Sequence, residues 1–123
     1  MAKMMVVDDG DGVLNLLERF LVSLGYEVIR AGSGEEALDR MNERPEIVIL
    51  DIMLAGMNGL QVLDKIKEMA PSTEVIVITG HDETGLGIEC LERGAFEFMA
   101  KPLNFDHLKF LLEFKLEQMG ITG

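Results

Sequence analysis

Apolar and polar positions along the 123 residues fall into two alternating rhythms. Five short apolar runs stand out: "KMMVV" (3–7), "YEVIR" (26–30), "EIVIL" (46–50), "EVIVIT" (74–79) and "FEFMA" (96–100). Runs of this length, rich in Val and Ile, predict strands. "IVIL" and "VIVI" do not alternate with polar residues, the habit of strands buried on both faces of a parallel sheet. The segments between them carry helical spacing. Residues 12–24 place Val13, Leu14, Leu17, Phe20, Leu21 and Leu24 near one face. Ser33, with Glu36 three residues on, has the form of a capping box and starts a second helix through Ala37, Leu38 and Met41. Residues 58–69 place Leu60, Leu63, Ile66 and Lys67 around a third, with Pro71 just beyond. Residues 103–119 form a long fifth helix. Five strand-helix alternations predict an α/β domain with helices on both faces of the sheet.

The fourth helix is the weak one. "DETGLGIECLERG" (82–94) carries Gly85 and Gly87 inside its span, and each interior glycine costs about 0.5–1 kcal/mol relative to alanine. Either the helix is short, frayed or late in starting, or the loop before it runs long.

Length suits one domain over 1–123, standing alone or excised from a longer protein. With 48% apolar and 27% charged residues, the chain has enough material for a core and is no disordered tail. No apolar run reaches the roughly 18 residues of a membrane helix, and the N-terminus lacks a signal-peptide pattern. Cys90 is the lone cysteine, so no internal disulfide forms. Together these point to a cytoplasmic protein without membrane partners. The net charge of −11 would repel a phosphate backbone, which argues against direct nucleic-acid binding.

In a parallel α/β sheet, ligands bind at the carboxyl ends of the strands. Asp8 and Asp9 follow strand one, and Asp51 follows strand three. Strand four ends in Thr79 before Gly80 and His81, and Lys101 and Pro102 follow strand five. Three carboxylates brought together repel one another unless a cation intervenes. Magnesium, which favours hard oxygen ligands, is the natural one. A metal on Asp8, Asp9 and Asp51 would leave one Asp51 oxygen as a nucleophile, with Lys101 and Thr79 placed to hold an incoming anion. That set describes phosphoryl transfer to form an acyl phosphate.

The residues "VVDD" (6–9), "VILDIMLAGMNGLQVL" (48–63), "VIVITGH" (75–81) and "RGAFEFMAKP" (93–102) resemble those of a response-regulator receiver domain, the phosphoacceptor module of two-component signalling. The resemblance spans nearly the whole chain. It implies a flavodoxin-like, three-layer fold: five parallel strands in the order 2-1-3-4-5 with five helices. It implies Asp51 as phosphoacceptor, Asp8 and Asp9 as the magnesium-holding pair, and the Met53 backbone carbonyl as a further ligand. By the same likeness Lys101 is the phosphate-binding lysine, its bond to Pro102 is cis, Thr79 is the switch hydroxyl and Phe98 the switch aromatic. Met53 and His81 occupy positions that tune phosphoryl lifetime. The partners implied are a histidine kinase or histidine phosphotransfer protein, and an output domain or downstream protein read through the helix 4–strand 5–helix 5 face. Such a domain catalyses only its own phosphotransfer and dephosphorylation. Three positions depart from the family's habit. Ala55 replaces a common proline, Gly80 a common alanine, and Gly10 a common third acid.

Other readings compete for "VVDDGDGVLNLLE" (6–18). A calcium loop with Gly12 at position six would use Asp9, Asp11 and Glu18, but puts Val7 at position one, and the residues before it read as strand. A haloacid-dehalogenase-type phosphatase would use Asp9 as nucleophile and Asp11 as acid/base. It leaves Asp51 idle and lacks an acidic motif after Lys101. Asp11 instead starts helix one, as N-cap or first-turn acid, and Glu18 faces solvent. A third alternative is a degenerate receiver acting only as a binding module. A nucleotide site has no Gly-rich loop to support it. On helix five, Phe105, Leu108, Leu112, Leu116 and Met119 form one stripe. Phe110 and Phe114 fall opposite, as a homodimer contact or docking site, or else covered by helix four or the tail.

Overall fold

The computed structural model describes residues 2–54, 58–80 and 84–121. Among these, strands β1 (Lys3–Val7), β2 (Glu27–Ala31), β3 (Ile47–Asp51), β4 (Glu74–Thr79) and β5 (Glu97–Ala100) alternate with helices α1 (Asp11–Ser23), α2 (Gly34–Asp39), α3 (Gly59–Met69), α4 (Thr84–Glu92) and α5 (Phe105–Gln118). A 3-10 turn at Met41–Glu43 follows α2. The strands make one parallel sheet in the order β2-β1-β3-β4-β5, as the resemblance implies.

Side chains along a strand point alternately to the two faces, and the core divides accordingly. Met4, Val6, Ile47, Ile49, Ile76 and Ile78 meet Leu14, Leu17 and Leu21 of α1 and Leu108, Leu111, Leu112 and Leu116 of α5. Met5, Val7, Val48, Leu50, Val75 and Val77 meet Ala37 of α2, Val62, Leu63 and Ile66 of α3, and Cys90 of α4. Every residue of β3 is buried, which is why its sequence shows no polar alternation.

Several element ends differ from the sequence reading. β2 runs one residue later than 26–30 and takes in Ala31. α2 ends at Asp39, so Met41 is buried from the 3-10 turn. α5 begins at Phe105, where the Asn104 side chain accepts the His107 N–H at 3.0 Å. Helix four is short, Thr84–Glu92 against the expected 82–94. Gly10, not Asp11, is the N-cap of α1; Asp11 is a first-turn acid. Glu18 does not simply face solvent, because it accepts from Arg30 on β2 at 2.8 Å. The Ser33 box closes with a variation. Ser33 Oγ accepts the Glu36 N–H at 3.1 Å, while Glu36 reaches back to the Gly32 N–H at 2.6 Å rather than to that of Ser33.

Candidate functional site

The carboxyl ends of β1, β3, β4 and β5 converge on one cluster. Asp51 closes β3 and is 5% exposed; Asp8, just past β1, is 4% exposed. Each carboxylate has one oxygen held by the backbone beyond it. The Met53 N–H donates to Asp51 Oδ1 at 2.9 Å, and the Gly10 N–H donates to Asp8 Oδ1 at 2.8 Å. The other two oxygens share one ammonium: Lys101 Nζ lies 3.0 Å from Asp51 Oδ2 and 3.2 Å from Asp8 Oδ2. Lys101 is fixed in turn by its own N–H, which donates to the Thr79 carbonyl at 2.8 Å, and its bond to Pro102 is cis.

Burial lifts the Asp51 carboxyl above the usual carboxylate range. The Met53 N–H and the Lys101 ammonium pull it back, and the neighbouring Asp8 pushes it up again. Burial also works against the Lys101 charge, but the hydrogen bonds and charges of Asp51 and Asp8 outweigh it, so the lysine stays protonated beyond its ordinary range. The exposed Asp9 completes the group, since Asp8, Asp9 and Asp51 each offer an oxygen within 4.8 Å of the others. Three hard oxygen donors with one partly open side suit magnesium, which keeps several waters.

Thr79 is fully buried at the end of β4. Phe98 pairs with Val77, and Ala100 with Thr79. Residues two apart share a face, so Thr79 and Phe98 lie on the same side of the sheet, one strand apart. Phe98 packs against the second core cluster, which includes Cys90 of α4 and against which Leu86 of α4 also packs. The Met53 side chain is 52% exposed, two residues past Asp51. Ala55 and His81 lie outside the described residues. Phe110 and Phe114 stand apart from the site on the outer face of α5. They are 62% and 47% exposed, with rings stacked at 6.1 Å, so neither helix four nor the described tail covers them.

The contacts of Gly10 with Asp8, and of Lys101 with Asp8 as well as Asp51, are absent from the sequence reading. Only the identity of the ends that meet could have signalled them. Next to Lys101, an apolar groove of about 230 Å³ runs between Val13 and Leu16 of α1 and Pro102, Leu103 and Phe105.

The response regulator receiver domain family matches residues 4–113. This chain belongs to that family. It is 36% identical over 105 residues to a cyclic di-GMP phosphodiesterase of Thermotoga maritima, covering 85% of this chain and 28% of that protein. It is 36% identical over 110 residues to the transcriptional regulatory protein ZraR of Escherichia coli O157:H7, covering 89% of this chain and 25% of that one. The chain thus spans about a quarter of the length of these relatives. Among solved structures, a CheY-like receiver domain protein from Methanospirillum hungatei superposes with a TM-score of 0.92 at 28% identity, over 96% of this chain and 95% of that one. The receiver domain of NtrX from Brucella abortus gives 0.87 at 36% identity, over 93% and 98%.

Proposed function

We propose that this receiver domain accepts a phosphoryl group on Asp51 from a phosphohistidine donor and passes the change to an output domain or partner. The observation that carries this is the Lys101 ammonium held between Asp51 Oδ2 and Asp8 Oδ2. It puts a fixed positive charge beside a buried carboxylate at the carboxyl edge of the sheet, where an incoming phosphoryl oxygen would need it. An Asp51 oxygen attacks phosphorus as the bond from phosphorus to the donor imidazole nitrogen breaks. The imidazole leaves with the electron pair, takes up a proton, and an acyl phosphate remains on Asp51. Asp8, Asp9, Asp51 and the Met53 carbonyl would hold magnesium, which when bound neutralises charge on the phosphoryl oxygens. Hydrolysis returns Asp51 to a carboxylate, and the residues at positions 53 and 81, Met53 and His81, tune how long the phosphoryl group lasts. The apolar groove between α1 and Phe105, which Lys101 also lines, gives a donor helix a landing surface.

The new charge and acceptor oxygens on Asp51 draw the Thr79 hydroxyl towards them, and Phe98 on the same face follows into the space released. The outer faces of α4 and α5, with Phe110 and Phe114, are where a second copy or another partner reads the result. Catalysis by the domain is limited to its own phosphotransfer and dephosphorylation, and its place is the cytoplasm. Among the described residues no helix is long and apolar enough to cross a membrane. A phosphatase working through Asp9 and Asp11 would give the buried Asp51–Lys101–Asp8 arrangement no part in the chemistry.

Intact mass after incubation with acetyl phosphate tests this. A single magnesium-dependent phosphate adduct is expected on the wild type, absent from Asp51→Asn and abolished by chelator. No adduct on the wild type would leave the domain as a binding module. An adduct that survives in Asp51→Asn and vanishes in Asp9→Asn would restore the phosphatase reading.

A further inference from the structure

Two glycines sit in α4, and their surroundings differ. A Cβ on Gly85 would meet nothing within 4 Å. A Cβ on the buried Gly87 would lie 3.1 Å from Cδ1 of Phe98 and 3.2 Å from its Cε1 and Cγ. The Phe98 ring therefore rests against the bare backbone of α4, in space that any other residue at position 87 would share. An interior glycine weakens a helix, and at Gly85 the structure offers no packing reason for it, whereas at Gly87 the ring supplies one.

We propose that Gly87 is the positioning residue for Phe98: it forms the seat on which the ring rests while Asp51 is unphosphorylated, and so links the ring's rotamer to the placement of α4. The proposal rests on the reading of Asp51 as acceptor and of Phe98 as the residue that responds. A side chain at 87 crowds the seat, so either the ring turns away or α4 lifts by a few tenths of an ångström. Both outcomes penalise the unphosphorylated arrangement selectively. By linkage, whatever penalises that arrangement tightens binding of any ligand that prefers the other one.

The test compares Gly87→Ala with Gly85→Ala in the full chain. Both changes raise helix propensity, and that gain is common to the two arrangements, so it cancels from a difference in ligand affinity. The first readout is the aromatic NMR signal of Phe98 without ligand, assigned by its loss in Phe98→Leu. The second is the dissociation constant for beryllium fluoride with magnesium, a mimic of the acyl phosphate. Gly87→Ala should move the Phe98 ring signal and tighten the mimic's binding, on the order of fivefold, while Gly85→Ala does neither. In the Phe98→Leu background the Gly87→Ala effect on affinity should largely vanish. Identical behaviour of the two alanine variants overturns the proposal, and so does weaker binding in Gly87→Ala, which would put the seat on the phosphorylated side. Failure of the wild type to bind the mimic overturns the acceptor reading, and the coupling falls with it. The ligand-free ring signal is independent of that failure, so the two are told apart.

Discussion

Helices α3 and α4 pack on the same face of the sheet, and each brings a glycine against what lies behind it. Behind Gly59 of α3 is backbone: a Cβ there would fall 2.5 Å from Ile52 Cα, and closer still to the Ile52 carbonyl oxygen. Behind Gly87 of α4 is the end of a side chain. Backbone at the close of a buried strand cannot step aside, whereas a phenyl ring can rotate. The rest of each helix follows suit. α3 has an Asn58 cap on the Leu60 N–H at 2.8 Å and buries Val62, Leu63 and Ile66. α4 is short, and among the described residues its buried positions are Gly87 and Cys90. One helix is set against the end of the strand that carries Asp51 as a fixed wall; the other is seated on a movable part. On the proposed function, the difference would let the domain hold Asp51 still while altering the face beyond it.

The largest effect should come from breaking the wall. Gly59→Ala forces a methyl into the Ile52 backbone, with an expected loss of about 3 kcal/mol in urea unfolding. It should also slow phosphorylation, because Ile52 directly follows Asp51. A loss below about 0.5 kcal/mol would show that the junction yields, and the contrast with α4 would collapse. Next is the cap: Asn58→Ala should cost about 1 kcal/mol and speed amide exchange in the first turn of α3, leaving α4 unchanged. The smallest global effect sharpens the other side. Arg93, just past α4, forks to Asp64 of α3 at 2.7 Å and Glu89 of α4 at 2.8 Å. The side chains of all three are a third or more exposed, so Arg93→Gln should leave the midpoint of urea unfolding nearly unchanged. Its signature is local: faster hydrogen exchange across α4, with α3 unaffected. Equal acceleration in both helices would mean that the fork serves the layer as a whole.

Much of this was legible from the chain. Strand cores follow from unbroken apolar runs, and the acidic ends of β1 and β3 are fixed by where those runs stop. The α1 stripe of Leu14, Leu17 and Leu21 follows from a 3.6-residue period, and the outward placing of Phe110 and Phe114 from the same count. Features that depend on which elements become neighbours were not legible. The Glu18–Arg30 pair joins α1 to β2, and the Lys101–Asp8 bond joins residues 93 apart in sequence. Gly87 shows the limit best. Read locally it is a defect in a helix, and only the approach of Phe98 from β5 turns it into a fitted surface. The start of α5 at Phe105 depends on a single hydrogen bond, from the His107 N–H to the Asn104 side chain, and the Gly10 cap of α1 has no side-chain bond to mark it.

Lys101 spans more of the molecule than its role as a charge requires. It leaves the end of edge strand β5, passes the end of β4, where its N–H meets Thr79, and ends on carboxylates at the ends of β3 and β1. In mechanical terms it is a tie drawn across four of the five strands, anchored at its inner end by non-covalent bonds alone. On the proposed function, a phosphoryl group added to Asp51 would re-anchor that end without touching the strands themselves. The slack or tension so created would be delivered at the outer end, to the strand that carries Phe98. A chemical event in the middle of the sheet would thereby be felt first at its rim.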